Sequence, residues 1–442
     1  MRTMLICVAA LCIGLRAAWA ADAVTPAYPQ ILVTFKQAQS VTPARTGARA
    51  KYFSGTSTYA ASPKVDRDVR AIAKEQGLHA VDAWPITPLG VHCVVFEVTG
   101  PRAVDEVLQT LAHDPRVESA QPLHLFDVLA DETPAGVSPP AVPSTTGVAL
   151  SGHGYDDPYL KLQHSVREMQ LEAAQVWASG RGVDVAVIDT GVDVHHPELA
   201  GRIAISEDFV DPPARGGEQH GTAVAGVIAA DAGNGIGIIG VAPDVKLLAL
   251  RACWPVQGKS VCSSFTLAKA LTFALARAPQ IINLSLAGPE DPLLDRLLQL
   301  VLARGITVVA ACRGPECDSF PASMPDVIAV SNVEDPSVMP VAGAASHVQP
   351  LIAPGNDIIT TMQNGTFDFV SGSSISAAHV SGIIALLLQR RPDLTAESVR
   401  RALSASVRPV GTAAGVVNAC EALASLLDGA GCPAVETVAD RG

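Results

Sequence analysis

Three polar residues of this 442-residue chain stand where apolar, strand-like runs give way to helix-like segments. Asp189 ends the run AVID, His220 opens the small-residue segment HGTAVAGVIAA, and Ser374 begins the apolar segment SISAAHVSGIIALLL. A carboxylate can hold an imidazole in one tautomer, an imidazole can act as a general base, and a serine hydroxyl can attack a carbonyl. The three residue types together supply an orienting acid, a base and a nucleophile.

Each of the three residues also has an ordinary structural interpretation. An aspartate after a strand often caps a turn, a lone histidine is more often structural than catalytic, and serine is a common helix N-cap. Catalysis is favoured by the placement of all three at strand-to-helix junctions, where open α/β sheets gather their reactive groups. The positive end of the helix dipole also favours a neutral His220, and the backbone N–H of Ser374 could bind an oxyanion.

The segments around these residues predict the fold. Short Val- and Ile-rich runs without polar alternation are each followed by a helical pattern, as in VDVAVID, VKLLALRA, QIINLSLAG, ITVVAA and DVIAVSNV. Such runs are typical of parallel strands that are buried on both faces. We therefore expect an α/β fold with a doubly wound, mostly parallel sheet.

A separate small unit precedes this sheet. Residues 29–126 predict the order strand, helix, strand, strand, helix, strand, with RVESAQPLHLF as the last strand. This order is the split βαβ arrangement, so we expect a small α+β, ferredoxin-like domain. Residues 127–154 are rich in Pro, Gly, Ser and Thr without an apolar period, which is typical of a linker. This linker either only connects the two units or also exposes a processing site.

Residues 1–20 have the pattern of a secretory signal peptide. An early Arg2 precedes an apolar run, and small residues surround an expected cut after Ala20. The run is shorter than the roughly 20 residues of a membrane-spanning helix, so we expect a secreted or periplasmic protein without a stable membrane span. The alternatives are an uncleaved anchor and a buried core helix. The net charge of −12 comes without a basic cluster, which argues against a nucleic-acid partner.

Nine cysteines add information about the compartment. Two of them leave with the signal peptide, and Cys93 stands alone. The other six form three pairs of near neighbours in sequence, which in an exported chain predicts local disulfides: Cys253 with Cys262, Cys312 with Cys317, and Cys420 with Cys432. The sequence does not prove this connectivity. A zinc site is the competing interpretation, but no Cys-x-x-Cys pair with histidine partners supports it.

The three motifs, in the order Asp, His, Ser, resemble those of the subtilisin-like serine proteases. They read DTGVDVHHPEL, HGTAVAGVIAA and GSSISAAHVSG, and GIGIIGVAP, INLSLAG, DVIAVSNV and GVVNAC are also similar to family segments. The resemblance covers about 155–428 and leaves 429–442 as a C-terminal tail. It implies a serine endopeptidase that forms an acyl-enzyme on proteins or peptides, with Ser374 as nucleophile, His220 as base and Asp189 as its orienting partner.

The resemblance also implies roles for other parts of the chain. Residues 29–126 resemble the family's propeptide, which assists folding and inhibits the protease from within the same chain, so the maturation cut would fall in the linker. A wall of the substrate cleft would be formed by Ser285, Leu286, Ala287 and Gly288, with Ala287 where the family usually has glycine. No cofactor is required for the chemistry. Structural calcium is an expectation, because DAGNGIGIIG (231–240) resembles a calcium loop of the family.

One departure from the family bears on catalysis. Where members usually carry an asparagine that donates to the oxyanion, this chain reads Cys312-Arg313-Gly314, and the next asparagine is Asn332. Three hypotheses follow. Arg313 or a backbone N–H near Gly314 replaces the donor beside the N–H of Ser374, the enzyme is active but slow, or the chain is a secreted pseudoprotease that binds peptides without cleaving them. A smaller departure is Ala378 beside the family's expected proline.

Overall fold

The computed structural model describes residues 28–37, 62–130, 154–214, 216–312, 316–332, 348–409, 415–427 and 431–433. The predicted signal peptide, most of the predicted linker, most of the predicted C-terminal tail, and both Arg313 and Gly314 lie outside the described residues. None of the helices in the described ranges is long and apolar enough to cross a membrane.

The first unit is the predicted ferredoxin-like domain. Its elements are β1 Gln30–Lys36, α1 Pro63–Gln76, β2 Leu78–Ile86, β3 Val91–Val98, α2 Val104–Ala112 and β4 Ser119–Pro122. The strands form one antiparallel sheet in the order β2-β3-β1-β4. Helix α1 begins after Ser62, whose hydroxyl accepts from the N–H of Val65, and ends at Gly77 in the left-handed conformation. The two helices pack on one face of this sheet through an apolar core that includes Ile31, Ile72, Phe96, Val107 and Leu111.

The second unit contains the remaining elements. Its strands are β5 Leu125–Val128, β6 Asp184–Asp189, β7 Ile203–Asp208, β8 Lys246–Arg251, β9 Cys253–Val256, β10 Lys259–Ser263, β11 Ile281–Leu284, β12 Leu286–Ala287, β13 Thr307–Ala311, β14 Ile328–Asn332, β15 Leu351–Ala353, β16 Ile358–Met362 and β17 Thr366–Val370. Its helices are α3 His164–Glu168, α4 Leu171–Gln175, α5 Gln219–Ala229, α6 Ser264–Arg277, α7 Pro292–Ala303, α8 Ser373–Arg390, α9 Ala396–Ala405 and α10 Ala419–Ala424.

A parallel sheet of seven strands organises this unit, as the sequence predicts. Its order is β15-β14-β13-β11-β6-β8-β7, and every pairing in it is parallel. Alternate residues of β6 enter different cores. Val185 and Val187 pack in the core that contains α5 and α8, whereas Ala186 and Ile188 pack in the core that contains α6 and α7. The sheet is therefore covered on both faces, which explains why its strands lack polar alternation.

The last predicted strand of the first unit is in fact two strands in two sheets, so this prediction is wrong. β4 stays in the small sheet, whereas β5 pairs antiparallel with both β10 and β12 of the second unit. The linker boundary expected at 127 therefore falls inside β5. Alternating apolar residues predict a strand, but they do not say which sheet edge will pair with it.

All three predicted disulfides are confirmed. They join Cys253 to Cys262, Cys312 to Cys317, and Cys420 to Cys432. Cys93 is a free, buried thiol on β3, and burial raises its pKa. Its surroundings are apolar, so this cysteine acts as a small core residue.

Candidate active site

Asp189, His220 and Ser374 meet at one edge of the parallel sheet. Asp189 is the last residue of β6, His220 lies in the first turn of α5, and Ser374 lies in the first turn of α8. His220 Nδ1 is 2.7 Å from Asp189 Oδ1, and His220 Nε2 is 3.0 Å from Ser374 Oγ. Because the carboxylate accepts the Nδ1 proton, Nε2 is left to accept from the serine hydroxyl. This arrangement can remove a proton from Ser374.

The close approach of α5 to the turn after β6 fixes the histidine. The N–H of Gly221 donates to Thr190 Oγ1 at 2.8 Å, and the N–H of Thr190 donates to Asp189 Oδ1 at 2.6 Å. A Cβ on Gly221 would lie 2.3 Å from the Thr190 carbonyl oxygen. Only glycine therefore allows His220 to sit this close to Asp189.

A partly buried ion-pair cluster between the start of α5 and the turn after β6 was not found by sequence reasoning. The Arg251 guanidinium donates to Glu218 Oε1 at 2.8 Å and to Asp208 Oδ1 at 2.9 Å. Glu218 Oε2 also accepts from the N–H of Gly191 at 2.6 Å. The cluster therefore ties the residue that precedes α5 to the turn that follows Asp189. Its members are far apart in sequence, and a charged residue at a strand end gives no signal of this pairing.

The chain's own strand β5 lies in the cleft beside Ser374. β5 runs antiparallel between β10 and β12. Immediately after β5, the N–H of Leu129 donates to the Ser285 carbonyl at 3.0 Å, and the N–H of Ser374 donates to the Leu129 carbonyl at 3.2 Å. A Cβ on Gly372 would lie 2.5 Å from the same carbonyl oxygen. The carbonyl of the Leu129–Ala130 peptide bond is thus held by the backbone N–H of Ser374.

Each predicted wall residue contacts or pairs with the docked segment. Leu286 is opposite Val128, and Ala287 is opposite Asp127. A Cβ on Gly288 would lie 2.3 Å from Cδ1 of Phe126, so the absence of a side chain makes room for this ring. The sequence predicts the wall but not its occupant.

A chain of buried hydrogen bonds joins this wall to the helix that carries Ser374. Ser381 Oγ on α8 donates to Asn283 Oδ1 at 2.8 Å, and Asn283 Nδ2 donates to Ser285 Oγ at 2.9 Å. Ser285 Oγ in turn donates to the Ser374 carbonyl at 3.4 Å. All four residues are buried. Sequence reasoning missed Asn283 and Ser381, because two polar residues in apolar runs give no sign that they meet.

A disulfide joins the two ends of the segment 312–317, which lacks the asparagine expected from the family resemblance. Cys312 directly follows β13, is buried and donates its N–H to the Val330 carbonyl at 2.8 Å. Its bond to Cys317 closes the segment that contains Arg313 and Gly314, which themselves lie outside the described residues.

Two buried carboxyl groups flank the predicted calcium loop. Glu198 accepts from the N–H of Ile238 at 3.0 Å and from Asn234 Nδ2 at 3.1 Å, and desolvation raises its pKa to about 8. Desolvation raises the pKa of Asp157 to about 6, and its Oδ1 is buried without a hydrogen-bond partner. Among the described residues no group of three or more His, Cys, Asp or Glu side chains could hold a metal ion. A cation here would therefore also need carbonyl or amide oxygens, and the buried Asp157 Oδ1 without a hydrogen-bond partner is the observation that favours such a site.

Comparisons with known proteins agree with this geometry. The family model described as the subtilase family matches residues 180–422, which is more than half of the chain. The chain belongs to the subtilase family. Thermitase from Thermoactinomyces vulgaris is 32% identical over 281 residues, covering 61% of this chain and 98% of thermitase. The major intracellular serine protease of Bacillus subtilis (strain 168) is 34% identical over 256 residues, covering 53% of this chain and 77% of that protein.

Another subtilase and a solved structure extend the comparison. Subtilisin E from Bacillus subtilis (strain 168) is 30% identical over 327 residues, covering 70% of this chain and 74% of subtilisin E. The crystal structure of fervidolysin from Fervidobacterium pennivorans, a keratinolytic enzyme related to subtilisin, matches with a TM-score of 0.63 and 22% identity. That match covers 92% of this chain and 61% of fervidolysin. The protein is therefore a subtilisin-like serine endopeptidase with peptides or proteins as substrates.

Proposed function

We propose that this subtilase is exported as a zymogen and matures by cutting its own Leu129–Ala130 bond with an Asp189-His220-Ser374 triad. The single observation that carries the proposal is the contact of the Leu129 carbonyl with the N–H of Ser374. An N–H that donates to a carbonyl in the ground state is placed to donate to the oxyanion that forms from it. The bond falls in the predicted linker 127–154, for which the sequence did not indicate a position.

The reaction at this bond follows from the geometry. Ser374 Oγ bonds to the Leu129 carbonyl carbon while its proton passes to His220 Nε2, and Asp189 stabilises the imidazolium. The C–N bond then breaks, and His220 returns the proton to the new amino group of Ala130. Water, deprotonated by His220, releases the acyl group and regenerates the serine. Peptide substrates would follow the same steps, adding a strand between β10 and β12 in place of β5.

The first unit supplies an inhibitor for the same cleft. Gln121 Nε2 and His124 Nδ1 both donate to Asp291 Oδ2, at 2.8 and 3.0 Å. Two ion pairs also join the units, Lys269 with Asp82 at 2.9 Å and Arg296 with Glu118 at 2.9 Å. These contacts support a propeptide that remains bound over the cleft after the cut.

Export is supported by two independent features. The signal-peptide pattern at 1–20 directs secretion, and three disulfides form and persist in oxidising compartments. We therefore assign the mature enzyme to the periplasm or the exterior of the cell.

Arg313 is our choice for the second oxyanion donor. A guanidinium donates from a charged group, and the Cys312–Cys317 bond limits the freedom of the segment that carries it. Losing one oxyanion donor costs about 10²–10³ in kcat. An Arg313→Ala variant with unchanged kcat would reject this role.

A calcium ion is our proposal for the loop near Glu198. Asp157, Glu198 and the oxygens of the loop would hold it, and the ion would neutralise two buried carboxylates and stabilise the loop. Thermal unfolding with calcium and with a chelator tests the site. We expect calcium to raise the melting temperature of the parent and not that of Glu198→Gln, and equal shifts would reject the site.

A fluorophosphonate probe tests the proposed activity. We expect the mature protein to be labelled at Ser374 and to hydrolyse a peptide ending in leucine, and we expect Ser374→Ala to do neither. A protein that is free of its propeptide but neither labels nor cleaves would instead be the peptide-binding pseudoprotease.

A further inference from the structure

The β9–β10 hairpin is the less supported wall of the substrate cleft. The cleft sheet has the order β12-β5-β10-β9, so the pairing partners of β10 are β5 and β9. If β5 leaves after the proposed cut, β10 keeps only β9. A two-stranded hairpin is marginally stable in water, so this wall needs another source of rigidity.

A disulfide crosses this hairpin directly behind the docked segment. Cys253 on β9 and Cys262 on β10 are register partners, and both are fully buried. Cys262 is in turn the register partner of Phe126, the fourth residue before the proposed cut. The covalent bond therefore lies one strand behind the place where a substrate strand must pair.

The hairpin's other connections hold its base and not its pairing edge. A single residue separates β9 from β8, and β10 runs directly into α6, whose first turn is capped by Ser263. Between them the turn at Gln257 and Gly258 has positive φ at both residues, as a two-residue hairpin turn requires. These features set the path of the hairpin, whereas the disulfide sets the spacing of its two strands.

We propose that the Cys253–Cys262 disulfide is a specificity-determining element that keeps the empty cleft shaped for extended substrates. A recognition strand that is ordered before binding avoids the entropy cost of ordering it during binding. The effect acts on the third to fifth residues before the cut bond, which pair with β10, and not on the two residues next to the bond. The inference rests on the proposed function, because it assumes that substrates occupy the place of β5.

The test compares two disulfide-free variants of the full chain after maturation. Cys253→Ala/Cys262→Ala removes the bond in the cleft wall, and Cys420→Ala/Cys432→Ala is the matched control at the C-terminal disulfide. Titration with a fluorophosphonate first counts active sites in each sample. If the parent enzyme itself contains no serine that the fluorophosphonate can titrate, the proposed activity is rejected and not the role of the disulfide.

Two substrates then distinguish an effect on the shape of the cleft from an effect on the catalytic step. One is a tetrapeptide with the sequence Phe-Asp-Val-Leu before a reporter group, and the other is a leucine ester that does not reach β10. We expect Cys253→Ala/Cys262→Ala to raise KM for the tetrapeptide about tenfold and to change kcat for the tetrapeptide less than about twofold. For the ester, both KM and kcat should change less than about twofold. The control should change neither substrate, even where it lowers the melting temperature.

Three results would overturn the proposal. The first is an unchanged KM for the tetrapeptide, and the second is an equal rise for both substrates. The third is a failure to fold. To test it we add a second variant, Cys253→Val/Cys262→Val, because a β-branched cross-strand pair preserves the packing without the covalent bond. If neither cleft variant yields titratable enzyme while the control does, the disulfide is needed for folding and not for cleft shape.

Discussion

The two walls of the substrate cleft are built in opposite ways. On one side, β12 follows β11 of the large parallel sheet and is joined to α8 by the buried hydrogen bonds of Asn283 and Ser285. On the other side, β10 belongs to a hairpin whose strands are joined by a disulfide. The first wall shares its support with the nucleophile, and the second wall does not.

This difference assigns different roles to the two walls. A displacement of β12 must also move the Ser285 carbonyl and the start of α8, so it should alter kcat. A displacement of β10 changes only the pairing of the residues farther from the cut bond, so it should alter KM. Variants of each wall therefore either separate the two walls further or show that they act as one.

The largest expected effect concerns Leu129, which lies between the two walls. Its side chain is buried in the main apolar core, so Leu129→Asp would place a carboxylate there without a partner. We expect self-cleavage to slow by more than about 100-fold, because an unpaired buried charge costs several kcal/mol. Mass spectrometry over time measures the cut. Leu125→Asp is the control, because Leu125 is 54% exposed, and equal slowing in both variants would contradict the assignment of the bond.

The next effect tests the wall that is joined to the nucleophile. Asn283→Ala removes both hydrogen bonds of a buried amide, so the Ser381 hydroxyl loses its acceptor and Ser285 keeps only its bond to the Ser374 carbonyl, a change of about 1–3 kcal/mol. We expect kcat to fall about tenfold or more with a smaller change in KM. Ser331→Ala is the matched control, because the Ser331 hydroxyl is buried without a partner. A rise in KM alone would show that this wall behaves like the hairpin.

A smaller effect concerns Phe126, where the two walls meet. Its ring lies beside Gly288 of one wall, and its register partner is Cys262 of the other. Gly288→Ala would insert a methyl group into the space of the ring, so kcat/KM for peptides with Phe at this position should fall about tenfold. Peptides with Ala at the same position provide the control. An equal loss of kcat/KM for both peptides would mean that Gly288 makes room for the substrate backbone and not for the phenylalanine side chain.

The smallest effect on catalysis is expected at His379, which bears on the stability of α8, the helix that carries Ser374. His379 is buried, its Nδ1 donates to the Pro354 carbonyl at 3.0 Å, and desolvation lowers its pKa to about 3. Between pH 6.5 and 3 the unfolded chain binds a proton that the native chain does not, so stability falls as the pH falls. One such site contributes a slope of about 1.4 kcal/mol per pH unit.

Urea unfolding at several pH values measures this slope. His379→Gln in a Ser374→Ala background should give a shallower dependence between pH 4 and 6 than Ser374→Ala alone. The inactive background prevents self-digestion. The same slope in both proteins would show that His379 is not the titrating group.

Much of the fold and the meeting of Asp189, His220 and Ser374 could be predicted from the sequence because their signals are local. Asp189, His220 and Ser374 each sit in a short motif, and strands buried on both faces have a distinctive composition. The three disulfides join residues that are near neighbours in the chain, so proximity alone suggests the pairs. These features depend little on how distant segments pack.

The parts that sequence reasoning missed depend on distant contacts. Asn283 and Ser381 meet across 98 residues, and Arg251 reaches Glu218 across 33. The split of the predicted strand 116–126 has the same origin. Leu123 still donates its N–H to Gln30 of the small sheet, whereas the segment from Leu125 pairs with the second unit. Nothing in the local pattern states that a vacant cleft will accept this strand.

The most direct test of the central claim is the mass of the N-terminus of the mature protein. We expect the active chain to accumulate a fragment that begins at Ala130, whereas Ser374→Ala stays joined at Leu129–Ala130 under the same conditions. A mature protein that begins at a distant residue, with this bond never cut, would show that the chain does not mature by cleavage at Leu129–Ala130. Equal cutting of this bond in Ser374→Ala, purified away from other proteases, would contradict self-cleavage as well.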